Sequence, residues 1–142
     1  MTRSGGADEP KRGGPASEPP LVAIVDDDAS CRTSSRRLVR SFGYRAEAFA
    51  SGPEFLTSPL VEQAACLLLD VRMPSMDGLE VQRQLIARGV DVPVIFISGW
   101  ASDAEELGAR SAGAVEFLRK PVDTAVLRQL LHKVISNRGG SV

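Results

Sequence analysis

From Leu21 onward the chain alternates short apolar runs with stretches of helical periodicity, a pattern that few folds accept. The runs are Leu21 to Val25, Arg45 to Phe49, Cys66 to Leu69, Val92 to Ile97 and Val115 to Leu118. Helices are expected at Ala29 to Phe42, Glu54 to Gln63, Gly78 to Arg88, Asp103 to Ala112 and Asp123 to Ser136. Strands that are apolar at consecutive positions need cover on both faces, which is the signature of a parallel sheet sandwiched between helices. The expected fold is therefore α/β, with five parallel strands joined by right-handed crossovers and five helices.

Side-chain spacing supports two of these helices in particular. Cys31, Ser35, Leu38 and Phe42 share one face of the first, Arg32, Arg36 and Arg40 recur every fourth residue on another, and Gly43 follows as a stop. In the last helix Val126, Leu130 and Val134, flanked by Leu127, Leu131 and Ile135, form a wide apolar stripe that reads as core. The fourth helix carries Gly108 in its interior and few large apolar residues, so it should shift more easily than its neighbours.

Length allows one domain: 142 residues, 43% of them hydrophobic, suffice for a single core. Residues 1–20 are rich in Gly, Pro, Ser and charge without apolar periodicity and read as a disordered tail; residues 21–137 form the domain and 138–142 a short C-terminal tail. Seventeen basic residues against 18 acidic ones leave a formal charge of −1, which gives no bulk attraction to nucleic acid or to an anionic membrane. Cys31 and Cys66 lack metal-site spacing and read as small buried hydrophobes. No apolar run has the length of a signal peptide or a membrane span, so a cytoplasmic location is expected.

In open parallel sheets ligands bind beyond the carboxyl ends of the strands. Here the first run ends in Asp26, Asp27 and Asp28, the third in Asp70, the fourth in Ser98 and Gly99, and the fifth in Arg119 and Lys120. Clustered carboxylates raise one another's pKa unless a cation neutralises them, and an all-oxygen donor set without His or Cys favours Mg²⁺. A carboxylate at such a centre can act as a nucleophile and form an aspartyl phosphate, with the Lys120 ammonium and the Ser98 hydroxyl holding phosphoryl oxygens.

The segments IVDDD (Ile24 to Asp28), LLLDVRMPSMDG (Leu67 to Gly78), ISG (Ile97 to Gly99) and FLRKP (Phe117 to Pro121) resemble the receiver domain of bacterial response regulators, CheY-like in fold. The resemblance runs from about Leu21 to Asn137 and implies a flavodoxin-like strand order, 2-1-3-4-5. It implies Asp70 as phosphoacceptor and Asp26, Asp27 and Asp70 as Mg²⁺ ligands with the backbone carbonyl of Arg72, Mn²⁺ being a substitute. It further implies Ser98 as switch hydroxyl, Lys120 as the phosphoryl-contacting lysine with a cis bond to Pro121, and Phe117 as switch aromatic that turns inward on phosphorylation. Asp28 is left between a site role and a cap on the first helix.

The same resemblance implies a sensor histidine kinase or histidine phosphotransfer protein as donor and a downstream protein partner, and leaves open a dimer that forms on phosphorylation. Arg72 and Trp100 stand two residues beyond Asp70 and Ser98, where they can modulate access to the phosphoryl group. The arginines of the first helix are either a docking face or a solvated one, and His132 is assigned no role.

Three other readings compete. A receiver used as an interaction module without phosphorylation would be accompanied by losses among the acid pair or the lysine, and none is seen. A phosphohydrolase of the haloacid-dehalogenase family needs a second aspartate two residues after the nucleophile, where this chain has Arg72. A DNA-binding regulator needs a helix-turn-helix, and the stretch from the last helix to Val142 is too short for one, so direct nucleic-acid binding is not expected. The catalysis that the resemblance implies is limited to the domain's own Mg²⁺-dependent phosphorylation and dephosphorylation.

Overall fold

Leu21–Val25 and Cys66–Leu69 are buried at every position, because both faces of the sheet they enter are covered. The structure, a computed structural model, describes residues 18–140. The strands β1 (Leu21–Val25), β2 (Arg45–Phe49), β3 (Cys66–Leu69), β4 (Val94–Ser98) and β5 (Glu116–Arg119) form one parallel sheet in the order β2-β1-β3-β4-β5. The helices are α1 (Ala29–Ser41), α2 (Gly52–Leu56), α3 (Gly78–Ala87), α4 (Asp103–Ser111) and α5 (Thr124–Gly140). The expected fold class and strand order are both present.

The two-residue period of the strands divides the core in two. Ala23, Val25, Leu67, Leu69, Val94 and Phe96 face α2, α3 and α4, where Phe55, Val81, Leu85 and Ala109 complete one cluster. Val22, Ile24, Cys66, Leu68 and Ile95 face α1 and α5, where Val39, Leu127, Leu131 and Val134 complete the other.

Several boundaries differ from the sequence reading. The helix expected over Glu54 to Gln63 is split into α2 and a separate 3₁₀ turn at Pro59–Glu62. Pro59 has no N–H to continue a helix and disfavours helical backbone at Ser58, whose hydroxyl instead caps the new turn through the Leu60 N–H. β4 starts at Val94 rather than Val92, after Pro93. β5 is displaced by one residue, and α5 runs past Ser136 to Gly140. The core stripe of α5 is narrower than expected: Leu127, Leu131 and Val134 are buried, whereas Val126 is 46% exposed.

Most of the tail expected over 1–20, and the last two residues of 138–142, lie outside the described residues. Glu18 to Pro20 are fastened to β2: Arg45 donates to the carbonyls of Pro19 and Pro20 and pairs with Glu18 at 3.4 Å. Gly78, at the start of α3, packs closely against the residues that follow β3, its N–H on the Val71 carbonyl at 2.8 Å. A Cβ at Gly78 would collide with the Asp70 carbonyl oxygen and come within 2.9 Å of the Phe96 ring. No such contact exists at Gly108, where a Cβ would meet nothing within 4 Å.

These two glycines should respond in opposite ways. Gly78→Ala is expected to lower stability by about 2–3 kcal/mol through forced displacement of the β3–α3 loop. Gly108→Ala is expected to raise it by roughly 0.5–1 kcal/mol through better helix propensity at an open position. Urea unfolding of both variants beside the wild type checks the sign and the size.

Candidate functional site

Four strand ends build the site. Asp26 follows β1, its N–H bonded to the Phe49 carbonyl at 3.1 Å, and Asp70 follows β3, its N–H bonded to the Val25 carbonyl at 3.0 Å. Both side chains are therefore carried by extensions of the sheet ladder, and both are buried. Ser98 ends β4 and is fully buried, and Lys120 follows β5 with its N–H on the Ser98 carbonyl at 2.8 Å. Sheet pairing fixes all four with little freedom.

The Lys120 ammonium reaches across to the carboxylates. Its Nζ donates to Asp26 Oδ2 at 3.0 Å and lies 3.8 Å from Asp70 Oδ2. Asp27 is exposed at the rim, yet one oxygen from each of Asp26, Asp27 and Asp70 lies within 4.8 Å of the others. Burial pushes the Asp70 carboxyl up to about 6; Lys120 opposes the shift, while Asp26 and Asp27 add to it. Burial works to lower the Lys120 pKa, but the Asp26 hydrogen bond and the carboxylate charges outweigh it and the net direction is upward. One ammonium leaves three converging carboxylates short of positive charge, and their oxygen-only donor set fits a hard divalent cation.

Asp28 belongs to the helix and not to the cluster of Asp26, Asp27 and Asp70. It is the N-cap of α1 and accepts from the Cys31 N–H at 2.9 Å. Its own N–H binds Asp26 Oδ1 at 2.9 Å, so the cap also helps to orient the buried carboxylate.

Ser98 and Phe117 are both engaged by neighbouring residues in this structure. The Ser98 hydroxyl donates to the Trp100 carbonyl at 2.8 Å and accepts from the Trp100 N–H at 3.2 Å, closing the loop after β4 on itself. Phe117 already points inward: it is 5% exposed and stacks on Phe96 with centroids 5.7 Å apart. An inward turn of this ring is thus complete in this structure. The Lys120–Pro121 peptide is cis, as expected.

Arg72 and Trp100 form a pair at the mouth. The Arg72 guanidinium lies 4.5 Å from the centre of the indole ring and donates to Glu105 of α4 at 2.8 Å, while the Arg72 backbone N–H donates to Asp70 Oδ1 at 3.3 Å. Beside them a crevice of about 380 Å³ opens between Asp27, Arg72, Met73, Pro74, Asp77 and Glu105.

Other contributors escaped the sequence reading. Arg32 is no mere solvated charge: it donates to the Asp26 carbonyl at 2.9 Å, and Arg40 likewise binds the Ala46 carbonyl. Arg119 donates to the Ala101 carbonyl at 2.9 Å and to Glu106 at 2.8 Å, tying β5 to α4. Cys66 is buried as expected, but Cys31 is only half-buried, with its sulfur 3.7 Å from Lys120 Nζ. The spacing of Asp28 and Cys31 was a usable signal for that last contact, because a cap fixes where the third helical residue points.

The chain belongs to the response regulator receiver domain family, whose sequence profile matches residues 22–132. Residues 22–132 are thereby a receiver module of two-component signalling. It is 44% identical over 101 residues to the response regulator protein TmoT of Ectopseudomonas mendocina, covering 71% of this chain and 46% of that protein. The chain spans about half the length of the curated relatives it matches. Among solved structures, a response regulator receiver protein from Burkholderia phymatum is 40% identical with a TM-score of 0.71, covering 82% of this chain and 95% of that one. A CheY-like receiver domain protein from Methanospirillum hungatei JF-1 shares the fold at 24% identity and a TM-score of 0.80, covering 88% of this chain and all of that one. Among the described residues no helix is long and apolar enough to cross a membrane.

Burial of Asp70, reinforced by its carboxylate neighbours, sets a pH dependence. Its folded pKa lies above the ordinary value of 3.8, so the folded chain holds a proton that the unfolded chain has already lost. Its contribution to stability is most favourable below about pH 4 and is lost as pH rises through about 6. With a chelator present, Asp70→Asn is expected to stabilise the fold at about pH 7.5 by roughly 1–2 kcal/mol, solvent in the open crevice keeping the value below the full shift, and to make little difference near pH 4. Melting temperatures of both proteins across that range test the sign.

Proposed function

We propose that residues 21–137 act as a phosphorylation switch in which Asp70 accepts a phosphoryl group from a phosphohistidine on a sensor kinase or phosphotransfer protein. The observation that carries this reading is the convergence of Asp26, Asp27 and Asp70 from two strand ends, with the Lys120 ammonium from a third on Asp26 and Asp70. Asp26, Asp27 and Asp70, with the Arg72 backbone carbonyl, would hold Mg²⁺, for which Mn²⁺ would substitute. When bound, that ion supplies positive charge against the phosphoryl oxygens.

An Asp70 carboxylate oxygen attacks the phosphorus of the phosphoramidate. The new O–P bond forms as the P–N bond breaks, and the electron pair leaves with the imidazole nitrogen, which takes up a proton. Lys120, already 3.8 Å from Asp70, meets the negative charge that arrives on the phosphoryl oxygens. Arg72, stacked on Trp100 and tied to Glu105, stands over the approach from the crevice and tunes how readily water or a donor enters.

Ser98 supplies the link to the surface. To bond a phosphoryl oxygen its hydroxyl must leave the Trp100 carbonyl, which reopens the β4–α4 loop. Since Phe117 is already packed inward, the response travels through this loop and α4 rather than through a flip of that ring. The weak anchorage of α4 suits it to this role. It buries only Ala109 and leaves Leu107 67% exposed, an apolar side chain through which a downstream protein would read the change.

Intact mass after incubation with acetyl phosphate and Mg²⁺ is the decisive test. A gain of one phosphoryl group is expected in the wild type and none in Asp70→Asn or with a chelator. No gain in a folded wild type, with a known receiver working alongside, would overturn this reading in favour of a phosphorylation-independent interaction module.

A further inference from the structure

The Lys120 ammonium has three N–H bonds to place, and three acceptors surround it: Asp26 Oδ2 at 3.0 Å, Asp70 Oδ2 at 3.8 Å and Cys31 Sγ at 3.7 Å. Two are carboxylates inside the site. The third is a thiol on the outer side, where a groove of about 280 Å³ runs between α1 and the segment after β5. The walls of that groove near Lys120 are largely apolar, with Ile97, Val122 and Leu127 among them. Ser30, Ser34 and Ser35 line its α1 side, yet it is the sulfur, and not one of their hydroxyls, that takes the bond from the ammonium.

The placement of the sulfur follows from the cap. Asp28 holds the Cys31 N–H at 2.9 Å, which sets Cys31 as the third residue of α1. Helical side chains lean toward the N-terminus of their helix, so this one is directed back over the β1–α1 loop and onto Lys120. The next residue, Arg32, grips the Asp26 carbonyl from the same turn. The first turn of α1 thus holds both members of the Asp26–Lys120 pair.

We propose that Cys31 is a positioning residue for Lys120: its thiol is the neutral third acceptor that keeps the ammonium aimed between Asp26 and Asp70. Burial pushes the thiol pKa up, so the sulfur stays uncharged and does not compete with the carboxylates or with an incoming phosphoryl group. A carboxylate at this place would draw the ammonium out of the site, and an apolar side chain would leave one N–H seeking solvent along the groove. Cys31 acts through Lys120 and touches no reacting atom. The inference rests on reading Asp70 as the phosphoacceptor.

The test compares Cys31→Val, which removes the acceptor, with Cys31→Ser, which restores one. Two readouts are needed: the rate of phosphoryl gain from acetyl phosphate with Mg²⁺, and the rate at which acetic anhydride labels the Lys120 amine, read by peptide mass. Cys31→Val is expected to slow phosphoryl gain roughly fivefold and to speed Lys120 labelling by a similar factor, while Cys31→Ser stays within about twofold of the wild type in both. Unchanged rates and unchanged labelling in Cys31→Val would overturn the proposal. So would equal slowing in both variants accompanied by a lower melting temperature, since that marks a packing role. If the wild type gains no phosphoryl group, the reading of Asp70 fails instead, and the labelling alone decides the role of Cys31.

Discussion

One ion pair, Lys120 with Asp26 at 3.0 Å, makes the rest of the site tolerable. Unit charges about 4 Å apart at an effective dielectric near 20 interact by about 4 kcal/mol, so carboxylates gathered at neighbouring strand ends repel with an energy comparable to the whole stability of a small domain. The ammonium cancels part of that repulsion, and the raised pKa of Asp70 reflects the burial and repulsion that are left. The sheet sustains this cost through its register: Asp26 and Asp70 are carried by backbone bonds to Phe49 and Val25, and cannot drift apart to relieve it. A fold that holds such a cluster together is poised for a cation and for chemistry at a carboxylate.

The fold was legible because its driving signal is local and strong. Consecutive burial in Leu21–Val25 and Cys66–Leu69 distinguishes a doubly covered strand from any other apolar segment, and the residues just after them mark the site without further information. What the sequence could not disclose was long-range geometry. Val126 is as apolar as its neighbours on α5, but only the crossing of that helix over the sheet decides that it faces solvent while Leu127 does not. Phe117 reads as an aromatic able to take either of two positions, and it is packing against Phe96 that selects the inner one. Arg32 looked like one of three periodic surface charges until the β1–α1 loop brought the Asp26 carbonyl to it. In each case the missing term was a contact between segments that are not both visible in a local pattern.

The same distinction separates the rigid and the responsive parts of the molecule. Asp26, Asp70 and Ser98 are buried and continuous with strands, so their positions change little without breaking the sheet. α4 is attached by other means: Gln82 reaches the Ala109 carbonyl at 3.1 Å, Arg72 holds Glu105, and Arg119 holds Glu106 and the Ala101 carbonyl. Apart from the Gln82 bond these ties are exposed, and exposed ion pairs are individually weak and weakened further by salt. A helix with one buried residue and such fastenings can be moved by an event worth a few kcal/mol, which a core helix such as α3 cannot.

The two arginine ties also explain how so small an event could be felt at a distance. Arg72 lies two residues beyond Asp70, and Arg119 immediately precedes Lys120, so each reaches from a strand end of the site to α4. Trp100 sits between them in the chain, its backbone on Ser98 and its ring against the Arg72 guanidinium. Trp100 touches both Ser98 and Arg72, so a rearrangement that shifts it as the Ser98 hydroxyl leaves its carbonyl bears on the guanidinium that holds Glu105. A buried hydroxyl bonded to the Trp100 backbone and a helix held by exposed ion pairs join the β4–α4 loop, Arg72 and α4 in one short chain of contacts, with no wire through the core.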